Sequence, residues 1–179
     1  MKTKLLSVRQ PWATAIVLGT KRIEVRSRAT HYRGPLAIRA SGHITRSLID
    51  ALAEDDQLYR AVKSLTWGVE DADVLDPDTG FDNLVRAALP VGVVIGGVYL
   101  RDCSPLGELF RTRKRWAKAD QVFSFDALEY MRKGQALYGY VLEKPFMLRK
   151  PVRAPGLLGI TDWSVPRSAS ELLRSLRKL

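Results

Sequence analysis

Lys4-Leu-Leu-Ser-Val8, Gln10-Pro-Trp12, Ala13-Thr-Ala-Ile-Val-Leu18, Gly19-Thr-Lys21-Arg-Ile-Glu24-Val-Arg26-Ser27 and Pro35-Leu-Ala-Ile-Arg-Ala40 follow one another at the start of the chain, and their patterning decides the fold. Lys4–Val8 is short and apolar, the signature of a strand. Gln10-Pro11-Trp12 opens an apolar run that ends at Gly19; proline at the start and glycine just past the end predict one short helix. Arg22–Ser27 alternates, with Ile23 and Val25 apolar and Arg22, Glu24 and Arg26 polar, which predicts a half-buried strand. A loop at Arg28–Gly34 then leads into a strand at Pro35–Ala40. Strand, helix, strand, strand with such short links is not a βαβ repeat.

Further along, Ser47-Leu-Ile-Asp50 reads as a capping box, and Leu48, Leu52, Tyr59 and Val62 share one helical face, so a helix is expected over Ser47–Lys63. Val74–Asn83, rich in Asp with Pro77 and Gly80, reads as a surface loop. Val91–Leu100 is the most apolar stretch and is expected as a central strand. Ala136–Leu142 reads as another strand and Pro145–Val152 as a looser extended segment. Ser168-Ala-Ser-Glu171 reads as a second capping box, opening an amphipathic helix on Leu172, Leu176 and Leu179 with its cations near the C-terminus. Five or six strands and a few helices predict an α+β fold: a small mixed β-barrel, a short helix after the first strand, and peripheral helices. The organisation expected is one domain over residues 1–166, with an acidic helical insertion at about 44–89, followed by a C-terminal amphipathic helix at 167–179.

The 179 residues are 46% hydrophobic and 27% charged, enough for a core and unlike a disordered chain. A single cysteine, Cys103, excludes an intrachain disulfide and a multi-cysteine metal site; with only two histidines, His31 and His43, no metal is expected. No phosphate-binding glycine loop is present and no cofactor is expected, because Gly92, Gly96 and Gly97 lie within a strand pattern. The apolar run Ala87–Leu100 is too short and interrupted for a bilayer span, and polar residues follow the basic N-terminus at once. A cytoplasmic protein without a membrane partner is the expectation. Charge is unevenly placed: +9 over residues 1–47, −8 over 48–110 and +9 over 111–179, for a net +10. If the two basic blocks meet in space, their partner is a polyanion, with nucleic acid ahead of a membrane surface.

The densest polar cluster is Lys21, Arg22, Glu24, Arg26 and Ser27. On a strand, Glu24 and Arg26 share a face, and Lys21 leans over it from the turn. Glu24 is placed to act as a base, or to orient two cations on a phosphate or base edge. An ion-pair strand with no further role has the same spacing. Phe110-Arg-Thr-Arg-Lys-Arg-Trp116-Ala-Lys118 interleaves five cations with aromatics, as a single-strand contact element or an exposed basic face would. His31 and His43 lie near the cluster in sequence, either as acid–base groups or as ordinary loop residues. Cys103 reads as a buried thiol.

Leu6–Ala13, the Gly19-x-Lys21-x-x-Glu24-x-Arg26-Ser27 block and Tyr32-Arg-Gly-Pro-Leu-Ala-Ile-Arg-Ala-Ser41 together resemble the ASCH domain, a PUA-like family. Val91–Leu100 and, more loosely, Tyr138–Trp163 resemble its later strands; residues 48–89 and 167–179 have no clear counterpart. The resemblance implies a β-barrel with a cleft beside the first helix, taking RNA, DNA or a nucleoside. In that cleft it places Lys21, Glu24 and Arg26, with Gln10, Trp12 and Ser27 as neighbours; the cations Arg33, Arg111, Arg113, Lys114 and Arg115 are expected to widen the basic surface. Gln10 would read a base edge, and Trp12 would stack on a base or anchor the helix. Some family members hydrolyse acetylated cytidine and some are ribonucleases; an enzyme of that kind would use Lys21 and Glu24 as its catalytic pair. The amidohydrolases carry threonine where this chain has Glu24. The expectation is therefore a nucleic-acid-binding module, RNA ahead of DNA, with a hydrolase as the alternative and a protein adaptor through the acidic insertion as a third reading.

Overall fold

A computed structural model describes residues 2–44, 85, 88–111 and 136–179. Within them the order is β1 (Lys2–Arg9), α1 (Trp12–Val17), β2 (Ile23–Arg26), β3 (Gly34–Ser41), β4 (Val93–Pro105), α2 (Leu106–Arg111), β5 (Tyr138–Arg153), β6 (Ile160–Ser164) and α3 (Ser170–Arg177). The strands form a six-stranded sheet in the order β2-β5-β4-β3-β1-β6. β1 and β3 run parallel and the other neighbours antiparallel. The predicted α+β class is what is found. The helix expected at Ser47–Lys63, the loop at Val74–Asn83 and the cations Arg113, Lys114 and Arg115 lie outside the described residues. Among the described residues, no helix is long and apolar enough to cross a membrane.

Leu5 and Leu6 are both fully buried although neighbours on a strand point to opposite faces. β1 lies inside the sheet with a helix on either side of it. Leu6, Val8, Leu36 and Ile38 meet Ala13, Ile16 and Val17 of α1 on one face. Leu5, Ala37 and Val94 meet Ala169, Leu172 and Leu176 of α3 on the other. A third cluster joins Ile23 and Val141 to Leu106 and Leu109 of α2.

α1 is six residues long, and Ala13 through Val17 are all buried. So short a helix has no independent stability and is held by its packing. Pro11 at the cap position has no side-chain acceptor, so Gln10 supplies one: its Oε1 accepts from the Thr14 amide at 3.2 Å and the Thr14 hydroxyl at 3.0 Å. Gly19 ends the helix with φ +81°, a region that L side chains rarely adopt. α1 presses so closely on β4 that a Cβ at Gly96 would lie 2.1 Å from the Phe146 carbonyl and 2.8 Å from Val17.

Three expectations change. The sheet does not close into a barrel: β2 and β6 are its two edges. It is nevertheless rolled, because Arg26 on the β2 edge donates to the Ser7 carbonyl of β1 at 2.7 Å, although three strands separate them in the ladder. β6 pairs only with Lys2–Leu6, which leaves β1 uncovered at Ser7. Second, Ala136–Leu142 and Pro145–Val152 are not two segments. They form one 16-residue strand, whose register skips between Glu143 and Phe146 with Lys144 at φ 49°. The irregularity accommodates Pro145, which lacks a ladder donor. Third, the capping box at Ser168 does not form. Ala169 takes the cap position with no side-chain hydrogen bond, because its methyl is buried in the α3 cluster. Glu171 instead accepts from the Arg149 amide at 3.2 Å.

Candidate nucleic-acid interface

β2 is four residues long, but its burial does not alternate as its sequence predicts: Ile23 and Glu24 are buried, and Val25 and Arg26 are half-buried. Ile23 enters the α2 cluster, and Glu24 faces the other way, opposite Tyr140 in the register. The Glu24 carboxylate is shared: Oε2 lies 2.8 Å from Lys21 Nζ and Oε1 lies 3.0 Å from Arg26 Nη2. Lys21 Nζ also donates to the Ile23 carbonyl. The side chains of Lys21, Glu24 and Arg26 are 5%, 10% and 26% exposed, so burial deepens away from Arg26. The alternation places Glu24 on the predicted face, but that face is covered at Glu24 and opens only at Arg26. One carboxylate between two cations leaves a net positive charge in a site shielded from water, where Coulomb attraction is strong.

Tyr140 closes one wall, its hydroxyl donating to the Arg28 carbonyl at 2.9 Å. Burial pushes its phenol above the ordinary tyrosine value, with Cys103 and Glu24 adding to the rise and Arg26 opposing it. Two buried polar atoms here have no partner among the described residues: the Ser7 hydroxyl and Arg26 Nε. Sequence reading missed Ser7 and Tyr140. The Tyr138-x-Tyr140 alternation carried a signal for the latter, and nothing local marked Ser7.

The remaining predicted residues divide. Trp12 is half-buried against the α1 cluster and keeps a solvent-facing part. Ser27 is exposed just past β2. Gln10 is occupied: besides capping α1, its Nε2 donates to the Pro90 carbonyl at 3.0 Å. Arg33 ties its own loop to β4, donating to Thr30 and Tyr32 carbonyls and pairing with Asp102 at 3.1 Å. Burial alone would raise the Asp102 carboxyl. Hydrogen bonds from the Cys103 amide, the Ser104 hydroxyl and Arg33 outweigh it and hold the group below its ordinary value. Arg111 sits on α2, whose core contacts are with the Ile23 side of β2, away from Glu24. His31 and His43 are exposed on loops, and Cys103 is a half-buried free thiol accepting from the Thr30 amide at 3.4 Å. Among the described residues, no group of three or more His, Cys, Asp or Glu could hold a metal ion.

The sequence profile of the ASCH domain matches residues 6–147, most of the chain and all of this site. The chain belongs to the ASCH-domain family. Solved structures agree on the fold. The crystal structure of an ASCH protein from Zymomonas mobilis is 17% identical and superposes with a TM-score of 0.52, over 97% of this chain and 94% of that one. A tyrosine-to-phenylalanine variant of it is 16% identical with a TM-score of 0.51, over 97% and 96%. A serine-to-alanine variant is likewise 16% identical with a TM-score of 0.52, over 96% and 94%. Comparison with curated proteins finds no significant match. The ASCH family is associated with RNA binding and with hydrolase activity. The family match ends at Met147, so β6 and α3 of this ASCH chain lie beyond it.

Proposed function

We propose that this ASCH protein is a nucleic-acid-binding module that takes RNA ahead of DNA, with its rolled sheet serving as a PUA-like pseudo-barrel. The observation that carries the reading is the shared Glu24 carboxylate. It holds Lys21 in the interior and leaves Arg26 as the partly open cation, 26% exposed. A guanidinium held in this way is suited to a phosphate oxygen or a base edge. Lys21 contributes charge from behind, and its salt-bridged ammonium offers no lone pair for attack. Trp12 is half-buried at the start of α1 and Ser27 is exposed just past β2. A half-exposed indole suits an unstacked base, which single-stranded RNA presents more readily than a duplex.

One observation favours a hydrolase instead. The Lys21–Glu24 contact of 2.8 Å is within proton-transfer reach and shielded from solvent. The two readings separate when labelled RNA, DNA and acetylated cytidine are incubated with the protein, and with Arg26→Ala and Lys21→Ala variants. For a module, RNA is retained without turnover, and Arg26→Ala weakens retention about tenfold or more, in line with losing a charge-assisted hydrogen bond of about 1.5–3 kcal/mol. Turnover that disappears in Lys21→Ala while binding persists overturns the module in favour of the hydrolase.

A further inference from the structure

On the face of the sheet opposite α1, the second half of β5 and the start of α3 enclose a groove of about 540 Å³. Its floor includes Leu148 and Leu172, both buried. Its rim carries Lys150, Arg153, Ser168 and Ser170, with Glu171 as its acid. Glu171 is engaged, accepting from the Arg149 amide. Lys150 and Arg153 are exposed, and neither side chain takes part in a hydrogen bond or ion pair among the described residues. The surroundings share the sign. Residues 144–179 hold eight Lys or Arg against Asp162 and Glu171, and Asp162 is already paired with Lys4 at 3.0 Å. Every residue lining the groove lies beyond the family match, so this surface is separate from the site on β2 in sequence as well as in space.

We infer that this groove is a second phosphate-backbone surface, and that a single-stranded RNA engaged at Arg26 continues onto it. The inference rests on the nucleic-acid reading of the β2 site and extends it. Charge complementarity selects the occupant. Two cations without partners among the described residues, with hydroxyls beside them in the groove, match successive phosphates and give no base-specific contact. The Arg26 site and the groove lie on opposite faces of the sheet, so a strand long enough to wrap the edge is needed to reach both.

The test is a salt titration of a long single-stranded homopolymeric RNA against the full chain and a Lys150→Glu/Arg153→Glu variant. Both residues are exposed, and an unchanged thermal melt shows that the variant is folded. Losing two single-strand phosphate contacts is expected to make the log–log salt slope shallower by about 1.4 and to weaken binding about tenfold or more at low salt. The loss should add to that of Arg26→Ala, since the two sites share no partners. Wild-type binding that the double reversal leaves unchanged in affinity and slope overturns the groove and leaves the β2 reading standing. Unchanged RNA binding with lost retention on phosphatidylserine vesicles assigns the groove to a lipid surface and also overturns it. Absence of any salt-dependent RNA binding by the wild-type chain removes both proposals together.

Discussion

Ser7 carries a hydroxyl that is buried and unpartnered among the described residues, while its carbonyl is held by Arg26. A buried polar group without a partner costs about 1–3 kcal/mol of desolvation, so Ser7→Ala is expected to hold stability level or raise it by about 1 kcal/mol. Urea unfolding monitored by tryptophan fluorescence measures this. A fall of more than about 1 kcal/mol would mean that the hydroxyl has a partner in solution. Glu24 behaves in the opposite way. Removing it would strand two cations in a site with little water, and breaking a buried pair costs about 3–5 kcal/mol. Glu24 is therefore a structural brace as well as a site residue, and Arg26, which is more exposed, is the cleaner probe of ligand contact.

At the scale of elements, the sheet is held in shape by how closely α1 lies against it. Gly96 is the contact that permits this approach, with the Phe146 carbonyl on one side and Val17 on the other. Gly96→Ala is expected to destabilise the fold by about 3 kcal/mol, the upper part of the range for overpacking, because backbone as well as side chain must move. Denaturant unfolding reads the loss directly. Gly92→Ala offers the contrast: its nearest heavy atom would be the end of Arg39 at 4.0 Å, so its cost comes from a φ of +78° alone. A smaller loss at Gly96 than at Gly92 would show that Phe146 of β5 and α1 do not close on Gly96 as the structure places them.

Across the whole molecule, the described acids are largely engaged. Glu24 is shared by two cations, Asp102 is paired with Arg33, and Asp162 is paired with Lys4. Among the described residues the exposed Lys150 and Arg153 of β5 have no such partner, which leaves exposed positive charge there. About four contacts to a single strand should then give a log–log salt slope near −3 in an RNA-binding titration. A flat response would mean that the excess of +10 serves solubility and not a polyanion.

Local patterning determined β1, α1, β2 and β3 to within a residue or two, since alternation, the Pro11–Gly19 bracket and short links are all properties of adjacent residues. The same patterning placed Lys21, Glu24 and Arg26 together, because they lie within six residues on one turn and strand. What only the tertiary structure decided depended on distant partners. Gln10 became the cap of α1 and a ligand of Pro90, so its amide does not face the opening. The capping box at Ser168 gave way to burial of Ala169, and a proline that reads as a break was absorbed into a bulged β5. The rolling of the sheet, which brings Arg26 of one edge to Ser7 of a distant strand, has no local signature. Neither does the basic groove, because Lys150 and Arg153 meet Ser168 and Ser170 only once α3 has docked against β5. Spacing along a strand specifies which side chains share a face; which faces meet is set by packing between elements far apart in the chain.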